Sequence, residues 1–211
     1  MICAVIAIFL IVSYIENKLI YKICKEIKPS LSNTIIIYST SIIISLLIYN
    51  KYEITTNSIS YFLLVPFIVL ISIIDFRTSF VYDIMVVSGI IIQSVVFILM
   101  KIPYVCLLDH LGGLLIGLLL SFLICKITKA IGEGDIGVYG LCCFVLGAEH
   151  SLNVFVLSFF ITSLVGIFII LKQRKLNLNL RIPFTPFISM ATILIMLTQY
   201  DIIKIYFEII S

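Results

Sequence analysis

The chain has 211 residues, 62% of them apolar and 12% charged, with a formal net charge of +3. Soluble domains average about 45–50% apolar and about 25% charged, so this composition leaves too little polar surface to cover a globule of this size. It excludes folding in water and calls for hydrocarbon around the chain.

Segment 2–15 is apolar with no basic residues ahead of it and no small-residue cleavage site. It therefore reads as a retained first span, not as a secretory signal. Further spans are predicted at about 31–49, 60–74, 84–100, 104–125, 136–148, 152–171 and 185–200. Those at 60–74 and 136–148 are short for a perpendicular crossing, which takes about 20 residues. The fold class is all-α, a polytopic membrane protein of about eight transmembrane helices, with six to eight fitting the length. Three regions follow: N-terminal spans with a basic loop at 1–59, a core at 60–200, and a tail at 201–211 suited to the interface.

The loops carry an asymmetry of charge. Lys18, Lys22, Lys25 and Lys28 lie in the first connection, Arg77 in the third, Lys126 and Lys129 in the fifth, and Lys172, Arg174, Lys175 and Arg181 in the seventh. Only Lys51, Lys101 and Lys204 lie elsewhere. Because cytoplasmic loops are rich in Lys and Arg, the odd connections are expected inside and both termini outside. This topology accounts for the net charge without nucleic-acid binding. The six cysteines form no CxxC pair and mostly sit in apolar runs, so they read as small hydrophobes and not as metal ligands. No metal or other cofactor is expected.

Carboxylates beside hydrocarbon are costly and need a reason. Asp75 closes the third span and Asp135, in Gly132-Glu133-Gly134-Asp135, opens the sixth. The topology sets both at the cytoplasmic end of a helix, at one depth, where they can meet. Two facing carboxylates do not readily both ionise and share a proton. Such a pair supplies a base to activate water and an acid for the scissile group, which is peptide hydrolysis without a metal or covalent nucleophile. Gly132 and Gly134 lack a Cβ and admit backbone or substrate close to Asp135, where a substrate strand can pair with exposed backbone. The plainer alternative is that Asp75 is a boundary residue beside Arg77 and Asp135 a helix cap. Elsewhere, Asp109 with His110 suits an interface better than a proton relay, His150 with Glu149 falls in an outer loop, and Gly113-x-x-x-Gly117 suits close helix packing.

Three segments occur in order: Ile74-Asp75-Phe-Arg-Thr-Ser-Phe-Val-Tyr-Asp83, Gly132-Glu-Gly-Asp135 and Arg181-Ile-Pro-Phe-Thr-Pro-Phe187. Together they resemble the type IV prepilin peptidases, membrane aspartyl proteases of the GxGD type, whose pattern adds an IPFGPF-like segment before the last span. Ser13-Tyr-Ile-Glu-Asn17 is similar to the family's first-helix segment. The resemblance implies Asp75 and Asp135 as the catalytic pair, Asp83 as the polar residue closing the first motif, and Pro183 and Pro186 as shaping the loop into the last span. It implies cleavage of a short basic leader from a type IV prepilin or pseudopilin, after a glycine, at the cytoplasmic face of a bacterial membrane. Tyr82, Gly137 and Thr185 depart from the expected Pro, Lys and Gly. The first loop has Cys24 alone, so the zinc-binding insert of larger members is expected to be absent, and methylation of the new N-terminus is left open. A presenilin-like pairing of Asp83 with Asp135 is the rival assignment within the class. A small carrier with coupling carboxylates and an inactive secretion scaffold are the rivals outside it.

Overall fold

A computed structural model describes residues 31–52, 55–128, 131–173 and 183–198, together with Tyr14 and Lys18. These fold into seven α-helices: α1 (Leu31–Tyr52), α2 (Thr56–Thr78), α3 (Asp83–Leu99), α4 (Tyr104–Thr128), α5 (Glu133–Leu146), α6 (Ala148–Gln173) and α7 (Thr185–Thr198). No strand occurs among the described residues. The predicted first span, nearly all of the Ser13–Asn17 segment, Lys22, Lys25 and Lys28, and the tail lie outside the described residues. So do Lys129, Arg174, Lys175 and Arg181.

Three helices are long and apolar enough to cross a membrane, over Asn57–Thr78, Tyr104–Thr128 and Ala148–Lys172. This is an all-helical architecture consistent with a membrane protein. In the first of these 67% of the apolar window lies inside the molecule, against 17% in each of the other two. So α2 belongs to the inside of the bundle, while α4 and α6 turn leucine, isoleucine and phenylalanine side chains outward, as lipid-facing helices do.

At the centre is α5, the shortest helix together with α7. From Val138 to Leu146 every residue is buried, and α5 touches α2, α3, α4, α6 and α7. Cys142 and Cys143 are among these buried residues. Contact with α4 rests on absent side chains. A Cβ on Gly117 would lie 2.8 Å from the Tyr139 carbonyl oxygen, and one on Gly113 would run into the Cys143 carbonyl. Tyr139 fills the other flank, stacked on Phe155 of α6 at 4.1 Å between ring centroids, with its hydroxyl 2.6 Å from that of Ser158.

The helix ends are set by local chemistry. At the start of α2, Thr55 and Ser58 exchange side-chain and backbone hydrogen bonds as a capping box. The helix runs on past the predicted boundary at residue 74 and stops at Ser79, which takes left-handed backbone angles, φ 52° and ψ 34°. Its N–H donates to the Asp75 carbonyl at 2.7 Å, an αL cap of the kind usually supplied by glycine. A non-glycine residue there is strained by about 1–2 kcal/mol, and glycine loses about 0.5–1 kcal/mol through the unfolded chain. Ser79→Gly is therefore expected to stabilise by about 0.5–1 kcal/mol, measured as a higher denaturation midpoint in detergent. A lower midpoint would assign the Ser79 side chain a stabilising contact.

The break expected between the spans 136–148 and 152–171 is present but is one residue long. Gly147 adopts φ 86°, and a Cβ there would collide with the Asp109 carboxylate. So α5 ends at Leu146 and α6 begins at Ala148, whose N–H donates to Asp109 Oδ1 at 3.1 Å. His110 joins the same tie: its Nδ1 lies 2.9 Å from the Phe144 carbonyl oxygen and its ring stacks on Phe97. Asp109 and His110 thus close the α4–α5–α6 corner, and Glu149 and His150 belong to the first turn of α6 instead of a loop.

Candidate functional site

Asp75 sits one turn before the end of α2, and Asp135 is the third residue of α5; both are buried. They come together because the short turn after α2 folds back on the start of α5. Val81 in that turn is buried, and a Cβ on Gly134 would lie 2.8 Å from Val81 Cβ. Of the backbone or substrate that the sequence reading admits at Gly134, the structure fills the space with Val81 of the same molecule, its side chain and, 3.4 Å from such a Cβ, its backbone carbonyl oxygen.

The local fold of Gly132-Glu133-Gly134-Asp135 is a helix start. Gly132 is the N-cap, and its N–H donates to Asp135 Oδ2 at 3.1 Å. The carboxylate at the third helical position thus reaches back to an orphan donor, one half of a capping box. In this sense the plain reading of Asp135 as a helix cap describes the structure, but it occupies only one carboxylate oxygen.

The other oxygen is taken by the last segment. Thr185, the first residue of α7, donates its hydroxyl to Asp135 Oδ1 at 2.6 Å. Its backbone N–H donates to Asp75 Oδ2 at 3.2 Å. One residue therefore bonds both carboxylates, and Thr185 is itself fully buried. Two helix N-termini, those of α5 and α7, point at the pair, and their positive ends favour negative charge there. Thr185 carries no signal of this role in the sequence beyond its position between Phe184 and Pro186.

Other residues singled out from the sequence lie around this centre. Pro183 precedes α7 and Pro186 lies in its first turn, where a missing N–H is tolerated. Between them Phe184 is buried, with its ring 5.2 Å from Phe159 and 6.3 Å from Tyr139. Glu133 is exposed in the first turn of α5. Asp83 is exposed in the first turn of α3, a favourable place for a carboxylate at a helix N-terminus. It is not among the groups that Thr185 and Gly132 bring together. Gly137 packs on Val86, where a Cβ would lie 3.0 Å from Cγ1. Among the described residues no three His, Cys, Asp or Glu side chains gather into a group able to hold a metal ion.

Arg77, Lys126 and Lys172 lie in the last turns of α2, α4 and α6. Asp75 shares the α2 end with Arg77. At the end of α1, Lys51 donates to the Leu197 carbonyl of α7 and Tyr52 donates to the Met196 carbonyl at 2.8 Å, so this end lies by the far end of α7 from Thr185.

Residues 62–171 match the family described as the type IV leader peptidase family, peptidase family A24. The match takes in Asp75, Asp83 and the Gly132–Asp135 segment and stops short of Thr185. No curated protein and no solved structure matches the chain.

Proposed function

The chain belongs to the type IV leader peptidase family, and from that premise we propose that it is a membrane aspartyl endopeptidase using Asp75 and Asp135 as its catalytic pair. The observation that carries the reading is the meeting of these two buried carboxylates on Thr185, across sixty positions of sequence. Paired carboxylates of this kind serve peptide hydrolysis directly.

In the proposed reaction, the ionised member of the pair takes a proton from water as the oxygen attacks the scissile carbonyl carbon. The protonated member donates to the carbonyl oxygen, and a tetrahedral diol forms. Return of a proton to the amide nitrogen lets the C–N bond break, leaving an amine and an acid, with one proton again held by the pair. The protons belong to the pair and not to one residue.

The proposed topology has eight spans with the odd connections in the cytoplasm of a bacterial cell. Arg77, Lys126 and Lys172 at the ends of α2, α4 and α6 support it, and it sets the pair at the cytoplasmic face. The substrate class is a type IV prepilin or pseudopilin, with a basic leader ahead of a hydrophobic helix that lies in the bilayer beside the enzyme.

The testing experiment is cleavage of a prepilin-like substrate by the protein reconstituted in liposomes. Appearance of the trimmed product is expected. A carrier would leave the substrate whole, and an inactive scaffold would bind it without cutting. Exposed Glu133, two residues from Asp135, is the acidic group suited to a basic leader. Glu133→Gln is expected to raise KM for a leader rich in Lys and Arg by about 2–5-fold, as loss of an exposed charge pair does. It should leave KM for a neutral leader unchanged, and an unchanged KM for the basic leader would remove Glu133 from recognition.

A further inference from the structure

We propose that Thr185 is the positioning residue of the aspartate pair, holding Asp75 with its amide and Asp135 with its hydroxyl; this rests on the peptidase reading of the same site. Three features of the geometry support it. The two bonds leave one residue in different directions, to Asp75 Oδ2 at 3.2 Å and Asp135 Oδ1 at 2.6 Å. The second has the short length of a hydrogen bond between a hydroxyl and a carboxylate. A β-branched side chain has few rotamers, so the hydroxyl direction follows from the α7 backbone.

That backbone is itself tied to the helix carrying Asp75. Ser189, one turn after Thr185, donates to the Thr185 carbonyl at 3.0 Å. Its hydroxyl lies 2.6 Å from that of Ser72, one turn before Asp75 on α2. Thr185 and Asp75 are thus fixed relative to each other by a second contact, and the hydroxyl then sets the position of Asp135. A hydroxyl both donates and accepts, so the same atom can follow a proton change on Asp135 without leaving the site. Glycine at this position would keep the amide bond and lose the hydroxyl one.

The test compares Thr185→Val, which keeps the shape and removes the hydroxyl, with Thr185→Ser, which keeps the hydroxyl. Thr185→Val is expected to lower kcat by about 10–100-fold, the effect of a misplaced catalytic group, with KM changed less than about twofold. Thr185→Ser is expected to restore kcat to within about threefold of wild type. If Thr185→Val does not fold in detergent, Thr185→Ala replaces it with the same expectation. Asp75→Asn and Asp135→Asn run in the same assay. If either cuts at the wild-type rate, the peptidase reading fails. If both are inactive while Thr185→Val matches wild type in kcat, only the role of Thr185 fails.

A second readout needs no substrate. Infrared carboxyl bands lost in Asp135→Asn should shift in Thr185→Val and stay in place in Thr185→Ser. Bands unmoved in Thr185→Val would overturn the proposal.

Discussion

Asp75→Asn and Asp135→Asn are each expected to abolish leader cleavage, lowering kcat by at least the 10²–10⁴-fold or so attributed to a positioned acid or base. The substitution suits the geometry. In Asp135→Asn the new side chain can offer its carbonyl oxygen to the Gly132 N–H and its amide to the Thr185 oxygen, so the helix start survives while the proton chemistry is lost. In Asp75→Asn the side-chain carbonyl can likewise accept from the Thr185 amide. Both variants should therefore retain wild-type helicity and denaturation midpoints, which separates loss of chemistry from loss of fold. In the proposed mechanism the two groups act as a unit, so the double variant should be no slower than either single one. Asp83→Asn should cut at close to the wild-type rate, since Asp83 lies exposed at the start of α3. Loss in Asp83→Asn with activity kept in Asp75→Asn would move the pair to Asp83 and Asp135. Cleavage by Asp135→Asn at the wild-type rate would end the aspartyl mechanism altogether.

Much of this architecture can be read from the order of residues, for reasons that differ between parts. Long apolar runs dictate the helices, since only a helix satisfies its own backbone in hydrocarbon. Asp75 and Asp135 stand out because a carboxylate beside such runs is rare. Their meeting is a tertiary event, however, and depends on features that hydropathy does not carry. One is the left-handed cap at Ser79, which turns the chain so that Val81 reaches Gly134. Another is Gly147, whose positive φ narrows the expected loop between the spans 136–148 and 152–171 to a single residue between α5 and α6. Thr185 was legible only as a departure within a proline-flanked segment. Its role appears once α7 lies between α2 and α5, because nothing in a single threonine codes for two partners so far away in sequence. The glycines before Asp135 invite a role in admitting backbone or substrate, and Gly134 is spoken for by the molecule's own Val81.

Gly113→Val is expected to be the most damaging substitution outside the aspartates. A Cβ at this position would run into the Cys143 carbonyl and come within 2.8 Å of the Gly147 backbone carbon. Those atoms are backbone and cannot step aside as a side-chain end can, so α4 and α5 must separate. Overpacking of this kind costs about 1–3 kcal/mol or more, and here the cost falls on the helix that carries Asp135. Gly117→Val should act in the same way through the Tyr139 carbonyl, 2.8 Å from its Cβ. Both should lower the denaturation midpoint in detergent and reduce cleavage. The control is Gly166→Ala on α6, where a Cβ meets nothing within 4 Å. Replacing an unpacked helical glycine should stabilise by about 0.5–1 kcal/mol and leave cleavage unchanged. If Gly113→Val and Gly166→Ala gave equal midpoints, the close approach of α4 to α5 would not be what holds the central helix. If Gly113→Val kept full stability and lost only cleavage, the contact would act on the placement of Asp135 and not on the fold.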